Sequence, residues 1–570
     1  MRHLLAVSIG PVQDFISAAR RTRDLWFGSY VLSEISKAAA LKIGAARLIF
    51  PNRADAENPE GHVANVILAL LPEGEDPGGI AGRAEIAAQK SWEHFAEQAF
   101  QAAAGYILED RARRQMLDVI EFYWASAPLA TEQDYRDTRR RVMRLLAGRK
   151  MCRDFKVWHG ERVPKSSLDG ARETVLRKPE TEDEVRRRNE QLRLNTKEQL
   201  DAVGLVKRLA TGKQQYPSVS RIAADPWLRG IVASDGKPLT RLLAECRNIG
   251  SVLTQINTER FPQFREFPFE GTAVYLTRHK ELWKDSTRTE EDFRDLKRAV
   301  KALERDFGAP DPYLAILVAD GDKMGKTISG IAKADDHREF SRDLGTFARE
   351  AGQMIVEHKG CLVYSGGDDV LAFLPVDRCL ECARKLHDRF GELLKPHRRP
   401  GIEPTLSVGI AIGHSMEPLE DLLHFAREAE KAAKGKDRNG LAVHLHPRAG
   451  APVLVRGGWK SGIDEDLESL ARMHLAEQIP DKAGYDLREL SRLYKGWPVE
   501  DAAAIPQDVT RLLKRKRIRE PEESWKAQIG SMQDATSVRF TADKIIIARK
   551  LATAKRQASP RKPAVPKEAA

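Results

Sequence analysis

The segment CLVYSGGDDVLAFL, residues 361–374, decides the fold that we predict for this chain. Two apolar runs in it flank a loop of five residues, 365–369, that contains two glycines. Two strand-like runs around a short glycine-containing loop predict a β-hairpin. The tip of this hairpin carries two adjacent carboxylates, Asp368 and Asp369.

Strand and helix patterns alternate on both sides of this hairpin. An apolar run at 313–319 precedes it and ends in the turn sequence Asp320-Gly321-Asp322, and apolar residues at helical spacing cover 340–355. After the hairpin come a helix at 380–394, a strand at 405–412, a helix at 419–434 and a strand at 441–445. The order βαββαβ, with one more helix and strand added, is typical of ferredoxin-like domains.

The N-terminal part of the chain repeats this order more faintly. It offers strands at 4–9, 47–50 and 64–71 and helices within 12–41 and 84–104. Gly10-Pro11 follows its first strand, where the second unit has paired acids. We therefore predict an α+β fold with two ferredoxin-like βαββαβ domains, of which the first is degenerate.

These patterns divide the chain into five predicted segments. Charged helical sequence fills 105–309, helical periodicity resumes after Pro447, and the end of the chain is rich in Lys, Arg, Pro and Ala. The predicted segments are a degenerate ferredoxin-like domain at 1–160, a mostly helical linking domain at 161–309, a second ferredoxin-like domain at 310–450, a helical domain at 451–552 and a disordered basic tail at 553–570.

Composition restricts the class of protein. The 570 residues are 42% hydrophobic and 31% charged, which is ordinary for a soluble globular chain. No apolar run approaches the roughly 18 residues that cross a bilayer, and the start of the chain reads as a strand and not as a signal peptide. The five cysteines are scattered, as expected in a reducing compartment. We expect a cytoplasmic protein and exclude secreted, membrane-spanning and disulfide-scaffold proteins.

The formal net charge is +11, and the excess of cations is uneven along the chain. Residues 136–153 hold eight basic side chains and one acid, and residues 511–519 hold six basic side chains and no acid. Such runs are typical of surfaces that bind a phosphate backbone, although a solvated helical face explains each single run equally well. The two runs together favour a nucleic-acid complex.

The candidate catalytic and metal-binding residues are mainly carboxylates. In a βαββαβ sheet the first strand ends beside the hairpin, so we expect Asp320 and Asp322 to lie near the two hairpin aspartates. Adjacent carboxylates repel one another unless a cation lies between them. Their oxygens suit Mg²⁺, and two such ions activate an attacking hydroxyl and stabilise a leaving pyrophosphate. Each turn sequence alone is usually structural, but both at matching strand ends predict a metal site.

Two cations follow at the end of a predicted helix. Lys434 ends the helix at 419–434, and Arg438 lies four residues later. The helix dipole favours a cation at this position, which by itself explains Lys434. The pair would also hold a triphosphate, with the guanidinium as a fork and the ammonium as a point charge. Backbone N–H groups of residues 321–325 would face the same phosphates.

The motifs of this unit resemble those of a known family. SGGDD at 365–369, Asp320 and the Lys434–Arg438 pair resemble the palm of class III nucleotide cyclases and diguanylate cyclases. More closely, the chain resembles the large polymerase-cyclase subunit of type III-B (Cmr-type) CRISPR effector complexes. The motifs of this closer resemblance are DGDKMG (320–325), SIGPVQDFI (8–16), ARRTRDLWFGSY (19–30), PKSSLDG (164–170), GLVKR (204–208) and PSVSRIA (217–223).

The resemblance implies an activity and its site. Members of the family join ATP into cyclic oligoadenylate messengers by 3′–5′ links, for antiviral defence, when guide RNA in the complex pairs with a target RNA. The implied partners are guide RNA, target RNA and other Cmr-type subunits, with no membrane. By resemblance, Asp320, Asp368 and Asp369 are catalytic and hold Mg²⁺ or Mn²⁺. The residues implied to contact the nucleotide are Gly321, Asp322, Lys323, Met324, Gly325, Ser365, Gly366, Gly367, Lys434 and Arg438.

The sequence departs from the family pattern in two places. Many relatives begin with an HD nuclease domain, whereas here the cyclase-like repeat starts at residue 1 and the one His-Asp pair, His387-Asp388, falls inside a predicted helix. We therefore expect no DNase activity. Relatives often carry a four-cysteine zinc site, of which Cys152 and His159 remain here. The CLEC sequence at 379–382 lies on an amphipathic helix, which favours a buried structural thiol pair over zinc.

Two other functions remain open at this point. The basic runs are compatible with a catalytically silent scaffold that caps a ribonucleoprotein and recognises an RNA end. Alternatively, the same palm joins AMP to a different acceptor or makes a dinucleotide. The spacing of the acids selects neither a nucleobase nor an acceptor, and it does not specify the size of a cyclic product.

Overall fold

The computed structural model describes residues 1–59, 61–152, 160–195, 197–210, 216–234, 237–250, 253–284, 289–497, 504–515 and 529–560. The strands within these residues are, from β1 to β10, Arg2–Gly10, Leu48–Phe50, Val66–Leu71, Glu121–Leu129, Tyr313–Asp322, Cys361–Ser365, Val370–Leu374, Thr405–His414, Gly440–Leu445 and Val453–Gly458.

The α-helices within the same residues are, from α1 to α20, Gln13–Ser17, Thr22–Ile43, Arg53–Glu57, Pro77–Ala102, Glu109–Met116, Tyr135–Met151, Glu182–Leu192, Ala202–Leu209, Val219–Ser234, Lys237–Ile249, His279–Lys284, Arg294–Phe307, Met324–Gly330, Ala334–Glu357, Cys379–Leu393, Leu419–Lys434, Ile463–Leu475, Ala483–Leu493, Ile505–Arg515 and Ala535–Ala558. None of these helices has an apolar stretch long enough to cross a membrane.

The first sheet is four-stranded and antiparallel, in the order β2-β3-β1-β4. Strand β1 lies in the middle and pairs with β3 on one side and with β4 on the other. Helices α2 and α4 pack against each other beside it, with Trp26, Phe27 and Trp92 buried. The predicted ferredoxin-like fold of the N-terminal part is thus confirmed.

Strand β4 lies in the stretch 105–309, for which the sequence predicts charged helices, and that prediction is wrong for this segment. β4 forms one edge of the first sheet, and the side chains of its first half are only half-buried. An edge strand of this kind has no continuous buried face. Its sequence EFYWASAPL therefore lacks the alternation of apolar and polar residues that identifies a strand.

The second sheet has six strands in the order β10-β9-β8-β5-β7-β6. The pair β6–β7 is the predicted hairpin, with Ser365 opposite Val370. Strand β9 lies parallel to β8 after the crossover helix α16, and the other pairs are antiparallel. Strand β10 continues the sheet to Gly458, so the expectation of purely helical structure after Pro447 is wrong there. The five domain boundaries stay a prediction.

Both faces of the second sheet are covered by other parts of the chain. Ala315 and Leu317 of β5 pack in a core with residues of α14 and α15. Leu314 and Ile316 point to the opposite face and belong to a core that includes Trp26 of α2. Because both faces are buried, the apolar run of β5 is continuous and does not alternate. The two ferredoxin-like units therefore share a core.

The last helix corrects the predicted disordered tail. Helix α20 extends to Ala558, so residues 553–558 are helical, while residues 561–570 lie outside the described part of the chain. It packs against α9, α17 and α18 and buries Ile545 and Ile547. The Lys550 Nζ contacts an Asp311 carboxylate oxygen at 3.1 Å. Composition alone does not reveal such pairing, which lets a basic helix pack in the interior.

Two of the motif segments meet in a buried ion cluster. Arg208 of α8 contacts Asp24 of α2 at 2.6 Å and Glu198 at 2.8 Å, and the three side chains are almost fully buried. Burial by itself would raise the pKa of Glu198, but the cations Arg208 and Arg21 hold it at about 2. The cluster ties the helical linking region to α2 of the N-terminal unit.

Candidate active site

Three carboxylates converge where β5 ends beside the hairpin. Strands β5 and β7 are antiparallel with Ala319 opposite Val370, so the next residue of β5, Asp320, lies beside the hairpin tip. One oxygen from each of Asp320, Asp368 and Asp369 lies within 4.8 Å of the others. The structure therefore brings together the three residues that the sequence predicts as metal ligands.

Burial and the charge of Asp320 disfavour the ionised form of the two hairpin aspartates. Burial, followed by the charge of Asp320, raises the pKa of Asp368 to about 6. Burial, a hydrogen bond with Asp320 and the charge of Asp368 raise the pKa of Asp369 still more strongly. A cation among the oxygens would reverse this effect, because a positive charge favours the ionised carboxylate. A set of carboxylate oxygens fits Mg²⁺ or Mn²⁺, which prefer oxygen ligands.

Lys434 reaches the carboxylates from the last turn of α16. Its ammonium contacts Asp320 and also lies 2.7 Å from Glu430. Burial disfavours the charged amine, but the two carboxylates outweigh burial and raise the pKa of Lys434. The sequence predicts that Lys434 binds phosphate. In the structure its ammonium also orients Asp320 and adds a positive charge beside the carboxylates.

Two glycines allow the hairpin tip to approach β5. A Cβ atom at Gly321 would lie 2.7 Å from the Cβ and 2.8 Å from the Oδ2 of Asp368, closer than side-chain atoms pack. Gly367 has a φ of +95°, in the region that favours glycine, and the Gly366 N–H donates to the Asp369 carbonyl at 3.0 Å. The sequence predicts the tight loop but not the close contact at Gly321.

Asp322 does not join the cluster, so the expectation that it lies with the hairpin aspartates is wrong. Its Oδ2 accepts hydrogen bonds from Ser407 Oγ at 2.7 Å, Thr405 Oγ1 at 2.9 Å and the Asn439 N–H at 2.9 Å. The buried carboxylate thus connects β5, β8 and the turn after α16. The signal available in the sequence is the pair of hydroxyls on β8, which only the strand register places opposite β5.

The other residues predicted to contact a nucleotide differ in exposure. The side chains of Met324 and Ser365 are buried, so these two residues leave mainly backbone atoms for a ligand. Lys323 has a left-handed backbone with φ of 58° and precedes α13. Arg438, which also has a positive φ of 59°, carries an exposed side chain. A Cβ at Gly325 would meet nothing within 4 Å, which leaves space there for a ligand.

The next residues are the histidine of the His-Asp pair, which suggests a nuclease, and the cysteines considered as zinc ligands. His387 Nε2 lies 2.9 Å from the Asn439 Oδ1, and its ring stacks on Trp459 with centroids 4.6 Å apart. Cys379 and Cys382 are buried free thiols whose pKa values are raised by burial. Cys152 is exposed, and residue 159 lies outside the described part of the chain.

Two family models match the chain. Residues 313–442 match the family described as Cas10/Cmr2, second palm domain, and residues 4–97 match the family described as CRISPR-associated protein Cmr2, N-terminal. The first range contains the three carboxylates and Lys434. The resemblance to the large subunit of type III-B complexes, predicted from the motifs, is confirmed.

A curated relative and two solved structures are also similar. The CRISPR system Cmr subunit Cmr2 of Pyrococcus furiosus is 33% identical over 219 residues, which cover 33% of this chain and 24% of that protein. The match thus spans about a quarter of the relative's length. Two cryo-EM structures of type III-B Cmr-beta, one apo and one bound to cognate target RNA, each give a TM-score of 0.65 at 14% identity. They cover 92% of this chain and 78% and 79% of the matched chains, and they show a shared fold.

Proposed function

The chain carries the second palm domain of Cas10/Cmr2 and the N-terminal domain of Cmr2, and from this premise we propose that it is a nucleotidyltransferase subunit of a type III-B CRISPR complex. On binding of a target RNA it converts ATP to cyclic oligoadenylate by metal-dependent 3′–5′ nucleotidyl transfer. The observation that carries this proposal is the convergence of Asp320, Asp368 and Asp369 within 4.8 Å.

Each side chain of the site has a distinct role in the proposed reaction. Asp320, Asp368 and Asp369 would hold Mg²⁺ or Mn²⁺, which when bound neutralises charge on the reacting phosphate and activates the attacking 3′-hydroxyl. Lys434 keeps Asp320 in place through their ion pair. Arg438, exposed on the turn after α16, supplies a guanidinium for the phosphates. Catalysis by such a site comes from positioning and charge neutralisation, without a covalent intermediate.

A basic cavity supports the proposal that the chain binds guide or target RNA. The cavity, of about 1050 Å³, lies between β4 and α6 and is lined by Arg140, Arg141, Arg144 and Arg149 together with Trp124. These arginines belong to the basic run at 136–153. Clustered guanidiniums beside an aromatic ring suit a phosphate backbone with a stacked base. Residues 516–519 of the second basic run lie outside the described residues.

Product analysis on the assembled complex tests this function. The complex is incubated with ATP, Mg²⁺ and target RNA, and the products are separated and identified by mass spectrometry. We expect cyclic oligoadenylate from the parent and a loss of roughly 100-fold or more with Asp368→Asn/Asp369→Asn, because charge stabilisation of this kind is worth at least that much. The matched control is Asp335→Asn, an exposed acid on α14 in the same domain, which should leave the rate unchanged.

The same experiment separates the alternatives. An equal rate of product formation by the parent and by Asp368→Asn/Asp369→Asn would show that the site is assigned wrongly. A parent complex that binds target RNA and ATP without turnover would favour the silent scaffold. A linear product, a dinucleotide or AMP joined to another acceptor would keep the site and change the reaction.

A further inference from the structure

A second group of potential metal ligands lies where α16 packs against β9. Glu428 on α16, His444 on β9 and His446 just after β9 each offer one ligand atom, and these atoms lie within 4.8 Å of one another. None of the three belongs to the carboxylate cluster. The group combines two imidazoles with one carboxylate, whereas the catalytic site offers only oxygens.

Local geometry explains why these residues meet. His444 and His446 are two residues apart along an extended segment, so their side chains leave it on the same side. Helix α16 packs against β9, and His424 and Glu428, four residues apart, lie on one face of that helix. The His424 Nε2 lies 3.5 Å from a Glu428 oxygen. Two imidazoles and a carboxylate thus face one another across the contact between α16 and β9, and His424 contacts the carboxylate.

Two ring nitrogens of this group lack hydrogen-bond partners within the described residues. His444 Nδ1 and His446 Nε2 are buried atoms without a hydrogen bond in the described part of the chain. Buried polar atoms are normally paired, so each such exception needs an explanation. A metal ion bound by these two nitrogens would supply the partners that they lack.

The rings are also held in position. His446 stacks face to face on Phe425, with centroids 3.5 Å apart and planes 8° apart. Its backbone N–H donates to the Ile412 carbonyl at 2.9 Å, and the centroids of His444 and His446 lie 3.9 Å apart. A site whose ligands are fixed before binding loses little conformational freedom when the ion arrives.

We propose that Glu428, His444 and His446 bind Zn²⁺, with His424 beside the Glu428 carboxylate. Imidazole nitrogen with carboxylate oxygen is a typical zinc donor set, and nitrogen donors select against Mg²⁺, which prefers oxygen. The ion clamps α16 to β9. Because Lys434 follows Glu428 by six residues, about 9 Å along the helix axis, the clamp steadies the helix that presents Lys434 to Asp320.

Metal binding to the full-length chain tests this proposal independently of catalysis. The protein is stripped with a chelator, and then titrated with Zn²⁺ by calorimetry and with Co²⁺ by visible absorption. We expect one Zn²⁺ site outside the carboxylate cluster, present in Asp368→Asn/Asp369→Asn and in the parent alike. We expect His444→Gln/His446→Gln to weaken its affinity by about 100-fold or more, since even the outer partners of metal ligands are worth about 10- to 100-fold.

Controls separate loss of the site from loss of the fold. His94→Gln, at an exposed histidine of α4, should bind Zn²⁺ as the parent does. If circular dichroism shows that His444→Gln/His446→Gln is unfolded in chelator, Glu428→Gln is tested in its place, because Glu428 is exposed. We expect the Zn²⁺ affinity of Glu428→Gln to fall by about 10-fold. Equal Zn²⁺ affinity in the parent, in His444→Gln/His446→Gln and in Glu428→Gln would overturn the proposal. Loss of the Zn²⁺ site only in Asp368→Asn/Asp369→Asn would also overturn it. Neither result bears on the proposed nucleotidyl transfer.

Discussion

Gly321 shows how one absent side chain shapes the candidate site. Gly321→Ala would place a Cβ 2.7 Å from the Asp368 Cβ, so the hairpin tip must shift. We expect nucleotide transfer to fall by about 100-fold, because a displacement of roughly 1 Å at a reacting centre costs that much. The matched control is Gly82→Ala on α4, outside the site, whose Cβ would meet nothing within 4 Å. Equal turnover by Gly321→Ala and the parent would contradict the packing argument.

Asp322 should matter for stability as well as for the site. Asp322→Asn replaces a buried carboxylate that accepts three hydrogen bonds, so we expect a loss of about 2 kcal/mol or more in the free energy of unfolding. Denaturant titration of the variant measures it. Asp335→Asn, at an exposed ion pair on α14, should change stability by less than about 0.5 kcal/mol. A stable Asp322→Asn protein would show that the three hydrogen bonds are dispensable.

The site could be predicted from the sequence only in part, and these residues show why. The order of strands and the two turn sequences are local signals, and they bring Asp320 to the hairpin. The division of roles between Asp320 and Asp322 depends on the register of β5 against β8, which aligns Asp322 with Thr405. Such a register is a property of the folded sheet and leaves no local pattern in the chain.

The buried cluster between α2 and α8 should make stability depend on pH. The pKa of Glu198 is about 2 in the folded chain, below its ordinary value of 4.5. A lowered carboxyl pKa stabilises the fold fully above about pH 4.5 and loses that effect as pH falls towards about 2. The shift corresponds to a contribution on the order of 3 kcal/mol.

Glu198→Gln measures that contribution. The free energy of unfolding of the parent and of the variant is measured by denaturant titration at several pH values. The parent should be more stable than the variant, by the largest amount above pH 4.5, and this difference should shrink as pH falls. Glu290→Gln, at an exposed partner of Lys297, should differ little from the parent at every pH. A difference between the parent and Glu198→Gln that does not change with pH would contradict the electrostatic role of Glu198.

Secondary structure was predictable where periodicity and turns agree. The hairpin, α14, α16 and the central strands all have strong local patterns. Strand β4 lies at a sheet edge, so burial does not impose alternation on it. Helix α20 is basic in composition, and only its packing against α9, α17 and α18 explains its order. Tertiary contacts, which a local pattern does not record, decided both elements.

For the molecule as a whole, the arginine-lined cavity predicts salt-dependent RNA binding. Arg141→Ala/Arg144→Ala removes two guanidiniums from it, so the slope of log affinity against log salt should fall by about 0.7 for each phosphate that the variant no longer neutralises. Binding of guide and target RNA to the assembled complex is measured at several salt concentrations. Arg294→Ala/Arg298→Ala, which removes two exposed arginines on α12, is the matched control. An unchanged slope for Arg141→Ala/Arg144→Ala would exclude the cavity from RNA binding.

In the proposed site, Asp320, Asp368 and Asp369 share a divalent cation. Titration of the full-length chain with Mn²⁺, followed by electron paramagnetic resonance, measures this directly. We expect Mn²⁺ binding that Mg²⁺ displaces and that weakens by about 10-fold or more in Asp320→Asn and in Asp368→Asn. Equal Mn²⁺ affinity in the parent and in both variants would contradict it.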